Sequence, residues 1–248
     1  VPGDEVIEID EAQNAAHELA QAEVDAFICI SGTFALGHLV LEFNKILHRP
    51  IMLWGLNELP YDGGKIRLNS VCGVNLNASN LYKAGVKDFY ANVGDTVDED
   101  WIDAIRVLKA FHSAHIGLLG YRAKGFFNLD VDELDLYEKT GVLVDHFELD
   151  AVFSQDVEDE EVARRKEQVA ETFDTSKIDE DQLQHVATLT AKFDAFMQTN
   201  GLTAIAVRCW PEFAGSFGIS PCAAMSVLQS EHKILTCEGD VLGTLSQL

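Results

Sequence analysis

The stretch Ala206-Val207-Arg208-Cys209-Trp210-Pro211-Glu212, followed by Gly218-Ile219-Ser220-Pro221-Cys222-Ala223-Ala224 and then Cys237-Glu238-Gly239-Asp240-Val241, decides how this chain is read. An apolar run bounded by Gly201 and Pro211 predicts a short buried strand, and a second run from Ile234 to Cys237 stops at Glu238-Gly239-Asp240. Both strands end in carboxylates. In an open parallel sheet, ligand chemistry gathers beyond the carboxyl ends of the strands. Glu212 and Asp240 are therefore expected to face one crevice, an arrangement suited to a divalent metal.

Working outward, the same grammar of short apolar runs and helical segments fills the rest of the chain. Helix signals cover Asp10 to Ala22, with Asp10 as the expected N-cap. A strand is expected at Ala26 to Ile30, the turn Ser31-Gly32-Thr33-Phe34 feeds a helix to Leu47, and a strand follows at Ile51 to Trp54. A small-residue helix from Cys72 to Lys83, a strand from Asp88 to Val93, and a helix from Val97 to Ala114 capped by Asp98 complete the first part. The pattern restarts at Ile116 to Gly120, with a helix from Asp132 to Thr140, a strand at Gly141 to Phe147 and a turn at Glu148 to Ser154. Two helices follow, Val157 to Ala170 and Asp181 to Asn200, the second stopping at Asn200-Gly201. Strand, helix, strand with short loops is the pattern of a parallel α/β sheet. The expectation is two Rossmann- or flavodoxin-like three-layer α/β domains with mainly parallel sheets, one over residues 1–114 and one over 115–248.

The chain has 248 residues, enough for a substantial core, and 41 acids against 18 bases give a net charge of −23. That charge opposes binding to nucleic acid and to anionic membranes. Much of it, as in Asp156-Val157-Glu158-Asp159-Glu160-Glu161, reads as solvated surface. No stretch of about twenty uncharged apolar residues occurs, so a soluble, cytoplasmic protein is expected. Five cysteines without a Cys-x-x-Cys pair exclude a secreted disulfide framework and a zinc ribbon, and all five read as structural. Gly117-x-x-Gly120 is too sparse for a phosphate-cradling loop. The first residue is not methionine and the last residues stop inside a predicted helix, so a piece of a longer protein is expected.

Several short strings carry a resemblance. Trp54-Gly55, Asp62-Gly63-Gly64-Lys65, Ser70-Val71-Cys72-Gly73 and Leu81-Tyr82-Lys83-Ala84-Gly85 resemble the first domain of the L-fucose and L-arabinose isomerase superfamily. In the same order, Ile116 to Arg122, Gly125-Phe126, Gly141-Val142, Cys209 to Glu212, Pro221-Cys222 and Cys237 to Asp240 resemble its fucose isomerase-like branch. The resemblance spans nearly the whole chain, and its weight lies in the joint order of the pieces.

The resemblance implies a metal-dependent aldose-ketose isomerase, an intramolecular oxidoreductase that uses Mn²⁺ or another divalent cation. Its plan is two α/β domains and a third downstream, in homo-oligomers with active sites between subunits. Carried over, Glu212 is ligand and base, and Asp240 is ligand and second proton carrier, with Glu238 the alternative one residue-shift away. The family's histidine ligand falls beyond residue 248, so a fragment is expected. Phe34, Arg122 and Phe126 are the candidate sugar contacts.

Those residue types suit the reaction, because moving a proton between C1 and C2 of a sugar passes through an ene-diol whose charge a hard cation stabilises. Carboxylates bind such cations and carry protons. Each residue also has a plainer role. Glu212 is a loop acid, Glu238 or Asp240 caps the helix beginning at Val241, Phe34 and Phe126 pack, and Arg122 pairs with one of many acids. The eight histidines lack a ligand spacing, and His38, placed on a helix with Phe34, is the one singled out. The competing function is a non-catalytic sugar-binding or regulatory module of the same fold.

Overall fold

A computed structural model describes residues 5–248, and the opening Val1-Pro2-Gly3-Asp4 lies outside that range. The described residues form two compact units that divide between Arg106 and Val107. The division falls inside the helix Glu99–Ser113, which ends where the sequence pattern restarts.

In the first unit, strands β1 (Phe27–Ser31), β2 (Ile51–Gly55) and β3 (Phe89–Val93) run parallel in the order β1-β2-β3, with Cys29 opposite Leu53 and Leu53 opposite Ala91. Helices α1 (Ile9–Gln21), α2 (Leu39–Leu47) and α3 (Ser70–Lys83) close its core. Ala16, Val40, Leu47, Val74 and Leu81 pack on Phe27, Ile51 and Leu53, the inward set of alternating strand positions. Helix α4 (Glu99–Ser113) starts where expected, with Asp98 Oδ1 accepting the Trp101 N–H at 3.3 Å.

The second unit carries strands β4 (His115–Leu119), β5 (Leu143–Phe147), β6 (Ala204–Val207) and β7 (Ile234–Thr236), all parallel, in the order β5-β4-β6-β7. Helix α5 (Glu133–Thr140) crosses from β4 to β5, and the chain then returns through α6 (Asp150–Phe153), α7 (Asp159–Thr172) and α8 (Glu180–Asn200) to β6 on the other side of β4. Helices α9 (Glu212–Phe217) and α10 (Cys222–Ser230) lead to β7, and α11 (Val241–Leu245) follows it. Because the connection after β4 runs to one side, toward β5, and the connection after β6 to the other, toward β7, the sheet has a topological switch point between β4 and β6, where ligands bind in such folds. One sheet face packs Leu119, Ile205 and Val207 under Phe193, Phe196, Met225 and Leu228, and the other packs Ile116, Leu118, Ala204 and Ala206 under Leu136, Val241 and Leu245. This unit is the expected three-layer sandwich.

Several local expectations change. The N-cap of α1 is Glu8, not Asp10, because Glu11 reaches back and its carboxylate accepts the N–H groups of Ile7 at 2.8 Å and Glu8 at 3.0 Å. Helix α2 begins only at Leu39, so His38 is its N-cap and shares no helix with Phe34. The turn expected at Glu148 to Ser154 contains α6. Cys72 and Cys222 are exposed, so they do not pack a core; all five cysteines are free thiols. Just beyond the acidic run read as solvated, Arg165 is 1% exposed and held among acids. Among the described residues, no helix is long and apolar enough to cross a membrane.

Candidate functional site

Three loops meet at the carboxyl end of the second sheet. They are residues 120–126 after β4, 208–211 after β6, and the turn 237–240 after β7. The Arg208 N–H donates to Leu119 O at 2.9 Å, the Gly239 N–H to Val207 O at 3.0 Å, and the Ala123 N–H to Glu238 O at 3.3 Å. Gly239 is required here: its φ is +72°, and a Cβ would stand 2.4 Å from the Tyr121 carbonyl oxygen. Glu238 also takes a left-handed conformation, with φ of +64°. The Glu238-Gly239 turn is thereby pressed directly onto the loop that carries Tyr121 and Arg122.

The acids sit on these loops. Glu212 is the first residue of α9, one step past the cis Trp210–Pro211 peptide, and its Oε1 pairs with Arg208 Nη2 at 3.0 Å. Its Oε2 is buried with no hydrogen-bond partner. Glu238 Oε1 accepts from the Cys209 thiol at 3.4 Å, and its Oε2 is likewise buried without a partner. Such an atom forgoes hydration without recompense, at about 1–3 kcal/mol or more for a charged group. Asp240 is placed differently. It is the N-cap of α11, with Oδ1 accepting the Gly243 N–H at 2.8 Å. Residues consecutive in sequence, Arg208 and Cys209, therefore touch Glu212 and Glu238 respectively.

The neighbouring thiols are held protonated. Burial pushes Cys237 up to about 12, with Cys209 close by adding to the effect, and burial also raises Cys209. A protonated Cys209 is a donor toward Glu238, not a competing anion.

Beside these acids, Gly120, Tyr121, His146, Phe147, Glu148 and Arg208 line a cavity of about 210 Å³ at the ends of β4, β5 and β6. Its aromatic wall is a stacked Tyr121–His146 pair with ring centroids 6.2 Å apart, and His146 Nε2 lies 2.5 Å from Glu133 Oε1. A larger cavity of about 300 Å³ in the first unit is walled mainly by apolar residues such as Phe27, Ile28 and Phe43. It offers no convergent charged groups for proton transfer, so the smaller cavity is the better candidate for chemistry.

The candidate sugar contacts are placed as follows. Arg122 Nη1 donates to the Phe126 carbonyl at 3.2 Å, its Nε lies 3.5 Å from Asp130 without a hydrogen bond, and its guanidinium lies 5.4 Å from the ring centres of both Tyr121 and Phe127. These bonds make Arg122 a brace for the loop that bears Phe126. Phe34 belongs to the first unit, in the turn after β1, where its N–H donates to Leu68 O at 3.1 Å. Arg208 is the residue that sequence reasoning passed over. Its signal was present: a lone cation at a strand end, four residues before the acid it pairs with.

Glu212 and Glu238 offer hard oxygen donors suited to Mn²⁺ or Mg²⁺. Their partnerless oxygens are an arrangement a cation would complete. Among the described residues, no three or more His, Cys, Asp or Glu side chains gather in a metal-holding group.

No family model matches the chain. It is 29% identical over 258 aligned residues to a protein of Priestia aryabhattai named sulfoquinovose isomerase, an alignment covering 97% of this chain and 56% of that protein. Proteins of the same name from Alkalicoccus urumqiensis and Clostridium sp. (strain MSTE9) are 27% and 28% identical, over 90% and 82% of this chain and 52% and 48% of their own lengths. The chain spans about half the length of the curated relatives it matches. Over most of its own length, then, this α/β chain is similar to sugar isomerases.

Proposed function

We propose that the chain is part of an aldose-ketose isomerase acting on a sulfonated hexose of the sulfoquinovose type. The observation that carries the reading is the pair of buried, partnerless carboxylate oxygens, Glu212 Oε2 and Glu238 Oε2, on the loops after adjacent parallel strands. The similarity to sulfoquinovose isomerases supplies the substrate class. In keeping with the resemblance of the sequence, the whole protein is proposed to be a cytoplasmic homo-oligomer that uses Mn²⁺ or a similar cation.

Isomerisation requires removal of the C2 proton and its delivery to C1. Glu212 is the proton carrier: Arg208 fixes one of its oxygens at 3.0 Å and leaves the other free to accept. A divalent cation, when bound, stabilises the negative charge of the ene-diol. Glu212 and Asp240 would be two of the residues that hold it. One observation favours Glu238 instead, since its spare oxygen is buried and unpaired while Asp240 already serves α11. Further ligands come from the sugar, water or residues outside this set. The Tyr121–His146 pair and the braced 120–130 loop offer a surface for the sugar ring.

In the complete protein, Glu212→Gln lowers isomerisation by at least about 10³-fold while the thermal unfolding midpoint stays close to wild type. Full activity in that variant removes Glu212 from the reaction. Titration of Mn²⁺ into metal-free Glu238→Gln and Asp240→Asn proteins assigns the second ligand to the variant whose affinity falls at least about tenfold.

A further inference from the structure

We infer that Arg208 is the residue that reads the anionic tail of the sugar, and that it is set to accept a sulfonate in preference to a phosphate. The inference rests on the isomerase reading above and names the substrate-selecting group of that same cavity.

Four features carry it. First, in a chain of net charge −23 an anionic substrate meets repulsion almost everywhere, so its site needs a fixed local cation. Arg208 lines the cavity and presents a guanidinium there. Second, its donors are not used up. A guanidinium has five N–H groups; Nη2 meets Glu212, and Nε is buried with no partner. That unused donor is available to an oxygen of a sulfonate. Third, the arginine is rigidly rooted, since its N–H donates to Leu119 O and it directly follows the fully buried β6. Gly120, with φ of +78°, keeps the space beside it clear: a Cβ there would stand 2.8 Å from Leu149 and 3.3 Å from Arg208 Cβ. Fourth, Arg208 and the proton-carrying Glu212 are bonded to each other, so one connected pair addresses both the charged tail and the reacting carbons of a single short sugar.

The preference for sulfonate follows from Glu148, an exposed carboxylate that lines the same cavity. A sulfonate carries one negative charge and a phosphate about 1.5 to 2 at neutral pH, so a carboxylate near the site penalises the phosphate more.

The test uses the complete, metal-loaded protein and compares kcat/KM for the sulfonated aldose, the corresponding 6-phosphate and the neutral 6-deoxy sugar. In Arg208→Met the ratio of sulfonated to neutral turnover falls at least about 30-fold, the lower end expected when one partner of a desolvated charge pair is removed. Arg208→Lys, which keeps the charge but loses the fork, falls by less and guards against simple misfolding. Glu148→Gln raises turnover of the 6-phosphate relative to the sulfonate. An unchanged sulfonated-to-neutral ratio in Arg208→Met overturns the assignment, and an unchanged phosphate-to-sulfonate ratio in Glu148→Gln overturns the stated preference. If the wild-type protein converts none of these sugars, the isomerase reading fails on its own. Calorimetric titration of the sulfonated sugar into metal-free protein then decides the role of Arg208: saturable binding weakened at least about 30-fold in Arg208→Met upholds it, and equal binding ends it.

Discussion

The second unit buries acids in two places, and they are treated in opposite ways. Away from the cavity, Arg165 is enclosed by Glu161, Asp194, Gln168 and Glu231, with Lys233 closing the far side. Both oxygens of Asp194, of Glu231 and of Glu161 have a donor. At the carboxyl end of the sheet, Glu212 and Glu238 each keep one buried oxygen with none. A saturated ionic network locks α7, α8 and the end of α10 together, and gains nothing from a ligand. Unsaturated acids cost stability and persist where something else is to be bound or moved.

Removing the centre of each group tests this contrast most strongly. Arg165→Met leaves buried Asp194 and half-buried Glu231 without their shared cation, and unfolding in urea should come earlier by about 3–5 kcal/mol. Glu212→Gln removes a charge that is only half satisfied, and its stability change should stay within about 1 kcal/mol although turnover collapses. Equal destabilisation by the two variants would erase the distinction.

Acid titration sharpens the same contrast. Burial alone would raise Asp194 and Glu231, but hydrogen bonds from Lys233 and Gln198 to Asp194, and from Arg165 and Gln168 to Glu231, together with the nearby positive charges, hold both below the usual carboxylate range. A carboxyl lowered on folding contributes stability that is present above its unfolded value, near 4, and disappears as pH drops through the folded value. The urea midpoint should therefore be flat down to about pH 4 and decline below it, with a shallower decline in Asp194→Asn. A decline as steep as wild type in that variant would show that other acids carry it.

The smallest effect concerns the thiols beside Glu238. With Cys237 raised to about 12 and Cys29 to about 11 by burial, an alkylating reagent at pH 8 should modify the exposed Cys72 and Cys222 first and Cys29, Cys209 and Cys237 slowly. Rapid labelling of Cys209 would mean that the floor of the site is open to solvent.

Local chemistry made much of the fold legible. Asp98 caps α4 as its position suggested, the helix expected from Asp132 starts one residue later with Asp132 as its cap, Gly201 ends α8, and the apolar runs at residues 116–119 and 204–207 are strands. These signals act over a few residues, so they survive without knowledge of the rest. The site was legible in part. Acids at the ends of β6 and β7, and a cap on α11 from Glu238 or Asp240, were expected, but not that Glu238 keeps one buried oxygen free while Asp240 does the capping, nor that Arg208 sits in the cavity. The Arg165 network was illegible: in sequence that residue stands in a polar helix, and its partners Asp194 and Glu231 lie 29 and 66 residues away.

By itself the sequence determined two successive runs of parallel α/β units, their capped helices and the carboxylates that close the last strands. Tertiary structure alone decided the strand order β5-β4-β6-β7, and with it which loops meet at the switch point and which buried oxygens lack a partner. The reason is range. Propensity, capping and periodicity are set by neighbours within a turn or two, whereas the pairing of strands and the satisfaction of a buried charge depend on segments the chain brings together only when it folds.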